Sequence, residues 1–203
     1  MIFKFRDKTK FLLYDIEDFK LTNLLYYEHA TFKFTVNQIK IFKIFVDVGA
    51  NIGGYAIRAA KYCKVYAIEP LPRNYKILKI NEKLNNIKIN SFNLAAGKER
   101  GKIKLYYEPR DYGTPSVKRK QNYFIEVEMK PLDEIINEES IDLIKIDVEG
   151  AEDLVLEGAR NCLKRTKMVI IERSESFPKT YIILRKESFK LRKFLDHNVL
   201  FTK

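Results

Sequence analysis

Apolar and polar positions along this chain follow two periods in alternation. Ile44-Phe-Val-Asp-Val48 is an apolar run closed by an acid and a glycine, the pattern of a strand buried on both faces. Ile52, Ala56, Ala59, Ala60 and Cys63 then recur at helical spacing. Val65–Ile68 repeats the strand pattern, residues 71–84 read as a helix with Tyr75, Leu78 and Ile80 among its apolar positions, and Ile87–Phe92 reads as a third strand. Residues 102–108 and 123–129 alternate apolar and polar, as an antiparallel hairpin does, around a polar tip at Arg110–Asn122. Ile141–Val148 is a further buried strand. Ala151–Leu163 is a helix with Ala151, Leu154, Val155 and Gly158 on one face, and Met168–Ile171 is a fifth core strand. The tail supplies a closing pair of strands around Thr180–Leu184 and Val199–Phe201. The first forty residues mix aromatic and charged positions, and the runs Phe11–Tyr14, Leu24–Tyr27 and Thr31–Val36 read as short strands with one short helix. The alternation predicts an α/β doubly wound, mostly parallel sheet with right-handed crossovers. An N-terminal cap (1–40) precedes a core (41–173) that carries an inserted β-hairpin; a closing tail (174–203) completes a single domain. Ligands of such sheets bind beyond the carboxyl ends of the strands, here just after Val48, Ile68, Phe92, Ile146 and Ile171.

Composition changes this picture little. The 203 residues, 46% hydrophobic and 32% charged, suit one domain with a sizeable core. Two cysteines, Cys63 and Cys162, make neither a disulfide framework nor a zinc set. Phe3-Lys-Phe-Arg-Asp-Lys8 interrupts any apolar leader, and no apolar run reaches the roughly 18 residues of a membrane span. The expectation is a cytoplasmic protein. The charge is +11, which attracts polyanions such as nucleic acid. It is spread along the chain in modest groups, so a general lysine bias accounts for it better than a dedicated patch.

Three motifs carry chemistry. In Phe45-Val-Asp-Val-Gly-Ala-Asn-Ile-Gly-Gly-Tyr55, glycines at a strand-to-helix turn let backbone approach a ligand. The spacing is not the G-x-G-x-x-G of a dinucleotide site, and Asp47 is poor company for a pyrophosphate. An acid there suits a cationic ligand, such as the amino group and sulfonium of S-adenosylmethionine. Glu69-Pro70 follows at the next strand end, where a carboxylate accepts ribose hydroxyls. Small residues in Asn93-Leu-Ala-Ala-Gly97 leave room for an adenine. In Leu143-Ile-Lys-Ile-Asp-Val-Glu-Gly-Ala-Glu152, helix-dipole compensation accounts well for Glu152. It accounts poorly for Asp147, which stands at the strand tip where an acceptor would meet the cofactor.

The blocks Asp47–Gly53, Ile68–Pro70, Asn93–Gly97, Leu132-Asp133, Ile144–Glu152, Leu156–Ala159 and Ile171-Glu172 occur in an order that resembles FkbM-type methyltransferases. The resemblance implies a class I, Rossmann-like fold, S-adenosylmethionine as methyl donor, and an oxygen acceptor on a sugar, glycan or small metabolite. It places Asp47, Gly49, Ala50, Asn51, Gly53, Glu69, Pro70, Asn93 and Ala95 at the cofactor. Tyr112, Thr114 and Ser116, in a stretch similar to the family's glycine-serine segment, would face substrate.

A hydroxyl acceptor must lose its proton. The candidate bases are Asp147, Glu149 and His29, the last placed where it could fold over the cleft. Asp147 with Glu149 or Glu152 offers hard oxygen ligands that suit magnesium, but spacing alone establishes no metal site, and none is expected. The competing reading is methylation of ribose in nucleic acid, or of protein, with the basic surface as the grip. Base methylation is disfavoured, because Asp147-Val-Glu-Gly stands where an Asn-Pro-Pro-Tyr-like tip would hold a flipped base.

Overall fold

The structure, a computed structural model, describes residues 1–23, 28–109 and 111–203, with the side chains of Glu17, Leu21, Asp111 and Tyr112 set aside. The reading of Leu24–Tyr27 lies outside the described residues, as do those of Arg110 and of the Tyr112 side chain. In chain order the strands are β1 (Ile2–Lys4), β2 (Lys10–Leu12), β3 (Ile44–Val48), β4 (Lys64–Ile68), β5 (Asn90–Phe92), β6 (Ala95–Ala96), β7 (Gly101–Glu108), β8 (Asp111–Ser116), β9 (Tyr123–Lys130), β10 (Ile141–Ile146), β11 (Thr166–Glu172), β12 (Lys190–Leu195) and β13 (Asn198–Thr202). Seven of them form the main sheet in the order β12-β13-β11-β10-β3-β4-β5. The β11–β10–β3–β4–β5 pairings are parallel, and β13 runs antiparallel to both β11 and β12. The order reverses direction at β3, so a crevice opens between the ends of β3 and β10.

Alternation along the strands decides what each face carries. Val46, Ile144, Ile146, Val169, Ile171, Val199 and Phe201 point to one side and pack on the helices Leu132–Ile135, Glu152–Glu157, Arg160–Lys164 and Phe177–Lys186. Phe45, Val65, Ala67, Leu143, Ile170 and Leu200 point to the other side, beneath the Ala56–Ala59 and Pro72–Leu84 helices and the N-terminal segment. At the carboxyl end of this second face the next residue of each row is polar: Asp47 on β3, Lys145 on β10, Glu172 on β11, and Asn198 at the start of antiparallel β13. Glu69 continues the row just past β4.

The N-terminal segment is tied to the core by polar anchors. The Lys10 and Leu12 amides donate to Asn85 Oδ1 and Asn81 Oδ1. Arg58 is buried over the rings of Phe5, Phe11 and Phe32, with its guanidinium on Asp7, the Gly54 carbonyl and the Thr22 carbonyl. Among the described residues no helix is long and apolar enough to cross a membrane.

Several local readings are corrected. Thr180–Leu184 lies inside the helix Phe177–Lys186, with a proline in its first turn and Thr180 and Leu184 buried four residues apart. The closing pair is instead β12 and β13, and β12 is a largely exposed edge strand that leaves no apolar signature. Thr31–Val36 belongs to the helix His29–Gln38, because Thr31 and Thr35 are its buried positions and the Thr31 hydroxyl donates to the Leu195 carbonyl at 2.8 Å. The predicted helix Ala151–Leu163 is two helices, Glu152–Glu157 and Arg160–Lys164. They part at Gly158, where a Cβ would collide with the Gly97 carbonyl oxygen. The hairpin β7–β9 forms as predicted, but part of its polar tip is β8, which pairs with β7; with β6 they make a second sheet in the order β6-β9-β7-β8.

Gly158→Ala should lower stability by about 1–3 kcal/mol, the cost of overpacking a close backbone approach. A urea midpoint equal to wild type would show that the Gly97 segment moves aside freely.

Candidate active site

Beyond the strand ends lies a cavity of about 330 Å³. Its floor exists because β3 and β10 come unusually close. Gly49 has φ +81, and any Cβ there would run into the Asp147 carbonyl oxygen. The Asp147 amide donates to Val48 O, and the Gly49 and Ala50 amides donate to Ile68 O, so three strand ends are stitched together at this point. Asn51 is also left-handed, φ +51, a conformation that Asn tolerates better than most residues. Its amide donates to Glu69 Oε2 at 2.9 Å, and the Leu71 amide donates to Glu69 Oε1 at 2.8 Å.

The electrostatics are lopsided. Among the described residues that line the cavity, six are carboxylates (Glu28, Asp47, Glu69, Asp147, Glu149 and Glu172) and two are lysines, Lys20 and Lys145. Lys145 is buried, bonds Asp147 Oδ2 at 2.7 Å and lies over the Tyr55 ring at 4.8 Å. Burial opposes its charge, but Asp147, Glu28 and Asp47 outweigh burial and hold its pKa above the usual lysine value. Asp47 faces Lys145 across the β3–β10 pairing and is 1% exposed, yet neither of its oxygens has a hydrogen-bond partner among the described residues. Burial, with Asp147 and Glu28 adding to it against Lys145, pushes Asp47 up to about 6. Burial likewise raises Glu69 to about 7 against the two amides that favour its charge. Glu172 rises to about 9, through burial and then the nearby charges of Asp147, Glu149 and Glu152. Glu28 accepts from Tyr55 Oη at 2.8 Å, and burial raises the pKa of both groups.

The structure gathers most of the candidate residues and separates a few. Asp47, Gly49, Ala50, Asn51, Glu69, Pro70, Ala95, Thr114, Asp147 and Glu149 all line the cavity. Gly53 is not in the lining; it has φ +96, and a Cβ there would run into the Ile57 side chain. Asn93 is exposed and outside the lining, and its amide donates to the Glu69 and Pro70 carbonyls at 2.9 and 3.0 Å. Ser116 is buried; it donates to the Glu149 carbonyl at 2.7 Å and accepts from the Lys118 and Arg119 amides, so it shapes the loop rather than facing a substrate. His29 is exposed at the start of its helix and outside the lining, whereas its neighbour Glu28 is inside. Glu152 is buried and spent on structure, accepting from the Val148 and Gly150 amides and the Ser174 and Ser176 hydroxyls.

Sequence reasoning gave no role to Lys145, Glu28, Tyr55, Glu172 or Asn198. A lysine inside the apolar run of β10 was the available signal for the first. Glu172 repeats the pattern of an acid closing an apolar strand. Glu28, Tyr55 and Asn198 carry no such mark, because folding alone brings their elements together.

The strand order, with its antiparallel β13, and the acidic strand ends define a class I methyltransferase fold. Residues 47–198 match the methyltransferase FkbM domain, and the chain belongs to that family, whose cofactor is S-adenosylmethionine. The chain is 28% identical over 152 residues to methyltransferase sdnD of Sordaria araneosa, covering 56% of this chain and 59% of that relative. The crystal structure of methyltransferase FkbM from Methylobacillus flagellatus KT superposes with a TM-score of 0.56 at 21% identity, over 79% of this chain and 43% of the other. The tRNA (uracil-54, C5)-methyltransferase of Pyrococcus abyssi, in complex with S-adenosyl-L-homocysteine, gives 0.55 at 12% identity, over 99% and 43%. The chain thus spans 59% of the length of the first relative and 43% of each of the two solved structures.

Asp47, Glu69 and Glu172 have folded-state pKa values raised above those of the unfolded chain. The stability they contribute is therefore fully present below about pH 4 and is lost as pH rises through their folded values. Urea midpoints of the ligand-free protein should fall between about pH 5 and pH 8, and Glu69→Gln should flatten that decline. A wild-type midpoint that rises across this window would contradict the burial of these acids.

Proposed function

We propose that this chain is an S-adenosylmethionine-dependent methyltransferase whose acceptor is a hydroxyl of a sugar, glycan or small metabolite. The observation that carries the reading is Asp47: a carboxylate 1% exposed with both oxygens unpartnered among the described residues, in an acidic cavity of a chain whose net charge is +11. A buried acid that faces a lysine but whose oxygens accept no close hydrogen bond is costly unless a ligand completes it. The ammonium of an amino-acid tail is such a ligand, so the residues fit the family's cofactor.

Asp47 and the close-packed Gly49-Ala50 turn would hold the amino-acid end. Glu69, already oriented by two amides, has the chemistry to accept ribose hydroxyls. Ala95 and Ala96 leave a smooth apolar wall for a base. When bound, the cofactor supplies an electrophilic methyl group on a sulfonium, a leaving group that needs no acid. What the chain must add is alignment, worth up to roughly 7–11 kcal/mol, and a place for the acceptor's proton. The acceptor's hydroxyl proton would pass to a carboxylate, Asp147 or Glu149. Lys145 positions Asp147, and Ser116 holds the Glu149 backbone in its left-handed conformation of φ +55.

The competing acceptors are ribose in nucleic acid and protein side chains. The basic surface and the likeness to a tRNA methyltransferase favour them. The acidic wall disfavours a phosphate-bearing chain drawn deep into the cavity.

Calorimetry with S-adenosylhomocysteine should show binding by wild type and a loss of at least about tenfold in Asp47→Asn, since a charge-assisted contact is worth about 1.5–3 kcal/mol. Equal affinity in the variant would overturn the site. Label transferred from S-adenosylmethionine into a cell extract should survive nuclease and protease and appear in small molecules or glycosidase products. Loss on nuclease or protease treatment would instead assign the basic surface to substrate.

A further inference from the structure

The cofactor explains Asp47 and Glu69, but not the far side of the same cavity. There Asp147, Glu149 and Glu172 each offer a carboxylate oxygen, all within 4.8 Å of one another. Lys145 bonds Asp147 Oδ2 at 2.7 Å, and Arg119 reaches Glu149 at 3.4 Å from the solvent side. Glu172 Oε2 is buried with no partner among the described residues.

A second observation concerns a different strand and a neutral residue. Asn198, 2% exposed, stands opposite Glu172 in the β11–β13 pairing, so the two side chains leave one face of the sheet side by side, and both line the cavity. The Asn198 amide nitrogen turns to Glu28 Oε2 at 3.4 Å and Thr31 Oγ1 at 3.3 Å. Both of these are acceptors at this contact, since the Thr31 hydroxyl already donates to the Leu195 carbonyl. The orientation of the amide is therefore fixed by its partners. Its Oδ1 is buried and unpartnered among the described residues, on a side chain that lines the same cavity as Glu172. An amide oxygen has no proton to gain at neutral pH. It needs a donor or a cation.

We infer that Asp147, Glu149, Glu172 and the Asn198 carbonyl oxygen form a binding site for a hard divalent cation, Mg²⁺ or Mn²⁺, on the acceptor side of the cavity. All-oxygen ligand sets suit these ions. Ligands across an octahedral ion at about 2.1 Å lie about 4.2 Å apart, close to the spacing of the three carboxylate oxygens, which lie within 4.8 Å of one another. The charge deficit of the wall is met at the same time. Such an ion would take the acceptor hydroxyl as a further ligand and ease removal of its proton. That role rests on the methyl-transfer reading above; the binding itself does not.

The test is a titration of the full chain with Mn²⁺, followed by the loss of the paramagnetic resonance signal of the free ion. Binding at one site is expected, with Glu172→Gln and Glu149→Gln each weakening it at least about tenfold. The affinity for S-adenosylhomocysteine, measured by calorimetry, should stay within about threefold of wild type in both variants; this also reports that they fold. Should Glu172→Gln fail to fold, Glu149→Gln, nearer the surface, decides alone. Absence of Mn²⁺ binding at millimolar concentration, or binding that both variants leave unchanged, overturns the inference. Mn²⁺ binding without any S-adenosylhomocysteine binding by wild type would uphold the cation site and sink the methyl-transfer reading.

Discussion

The site depends on one buried cation. Lys145 sits within a strand whose Ile141, Leu143, Ile144 and Ile146 pack into the core, and its ammonium faces Asp147, Glu28 and Asp47. A lysine so placed is tolerated only with anionic partners, because the desolvation of an isolated charge is severe. Those partners in turn come from β3, from the loop after β10 and from the start of the His29–Gln38 helix. The charge requirement of one side chain thus draws three parts of the chain to one point. Lys145 also lies over Tyr55, whose hydroxyl closes the circuit to Glu28.

This arrangement neutralises the wall only in part. Six lining carboxylates exceed two lysines, and Arg119 reaches only Glu149, so part of the acidic wall is left to hold protons or meet cationic ligands. The raised pKa values of Asp47, Glu69 and Glu172 express the first outcome in the ligand-free protein. A sulfonium, an ammonium and a divalent ion would each express the second. The same physics therefore couples stability, pH and ligand binding: protons that stabilise the empty site are displaced when a positively charged ligand arrives. The close backbone approach of Gly49 to Asp147 supports this coupling, since Asp147 acts on the charge of Asp47.

The general basic charge of the chain and the acidic character of the cavity are separate facts. The first is a property of the outer surface and aids solubility. The second is local, and it belongs to a row in which polar residues replace apolar ones at the carboxyl end of a single sheet face.

Much of this was legible in the order of residues. Strands β3, β4 and β10 and the Pro72–Leu84 helix announce themselves, because burial on both faces or on one helical stripe demands apolar residues at fixed spacing. Asp47, Glu69 and Asp147 were legible for a related reason: an acid that ends a buried strand has few structural uses. Elements whose polarity hides their role were not legible. β12 is a charged edge strand, and the His29–Gln38 helix buries threonines whose hydroxyls find partners on distant residues. Tertiary structure alone decided that Glu28, Tyr55 and Asn198 line the cavity, that Ser116 and Glu152 hold loops, and that His29 lies outside the lining. The reason is physical. Periodicity records which side chains avoid water, whereas the partner of a buried polar group is chosen by where the packed elements bring it.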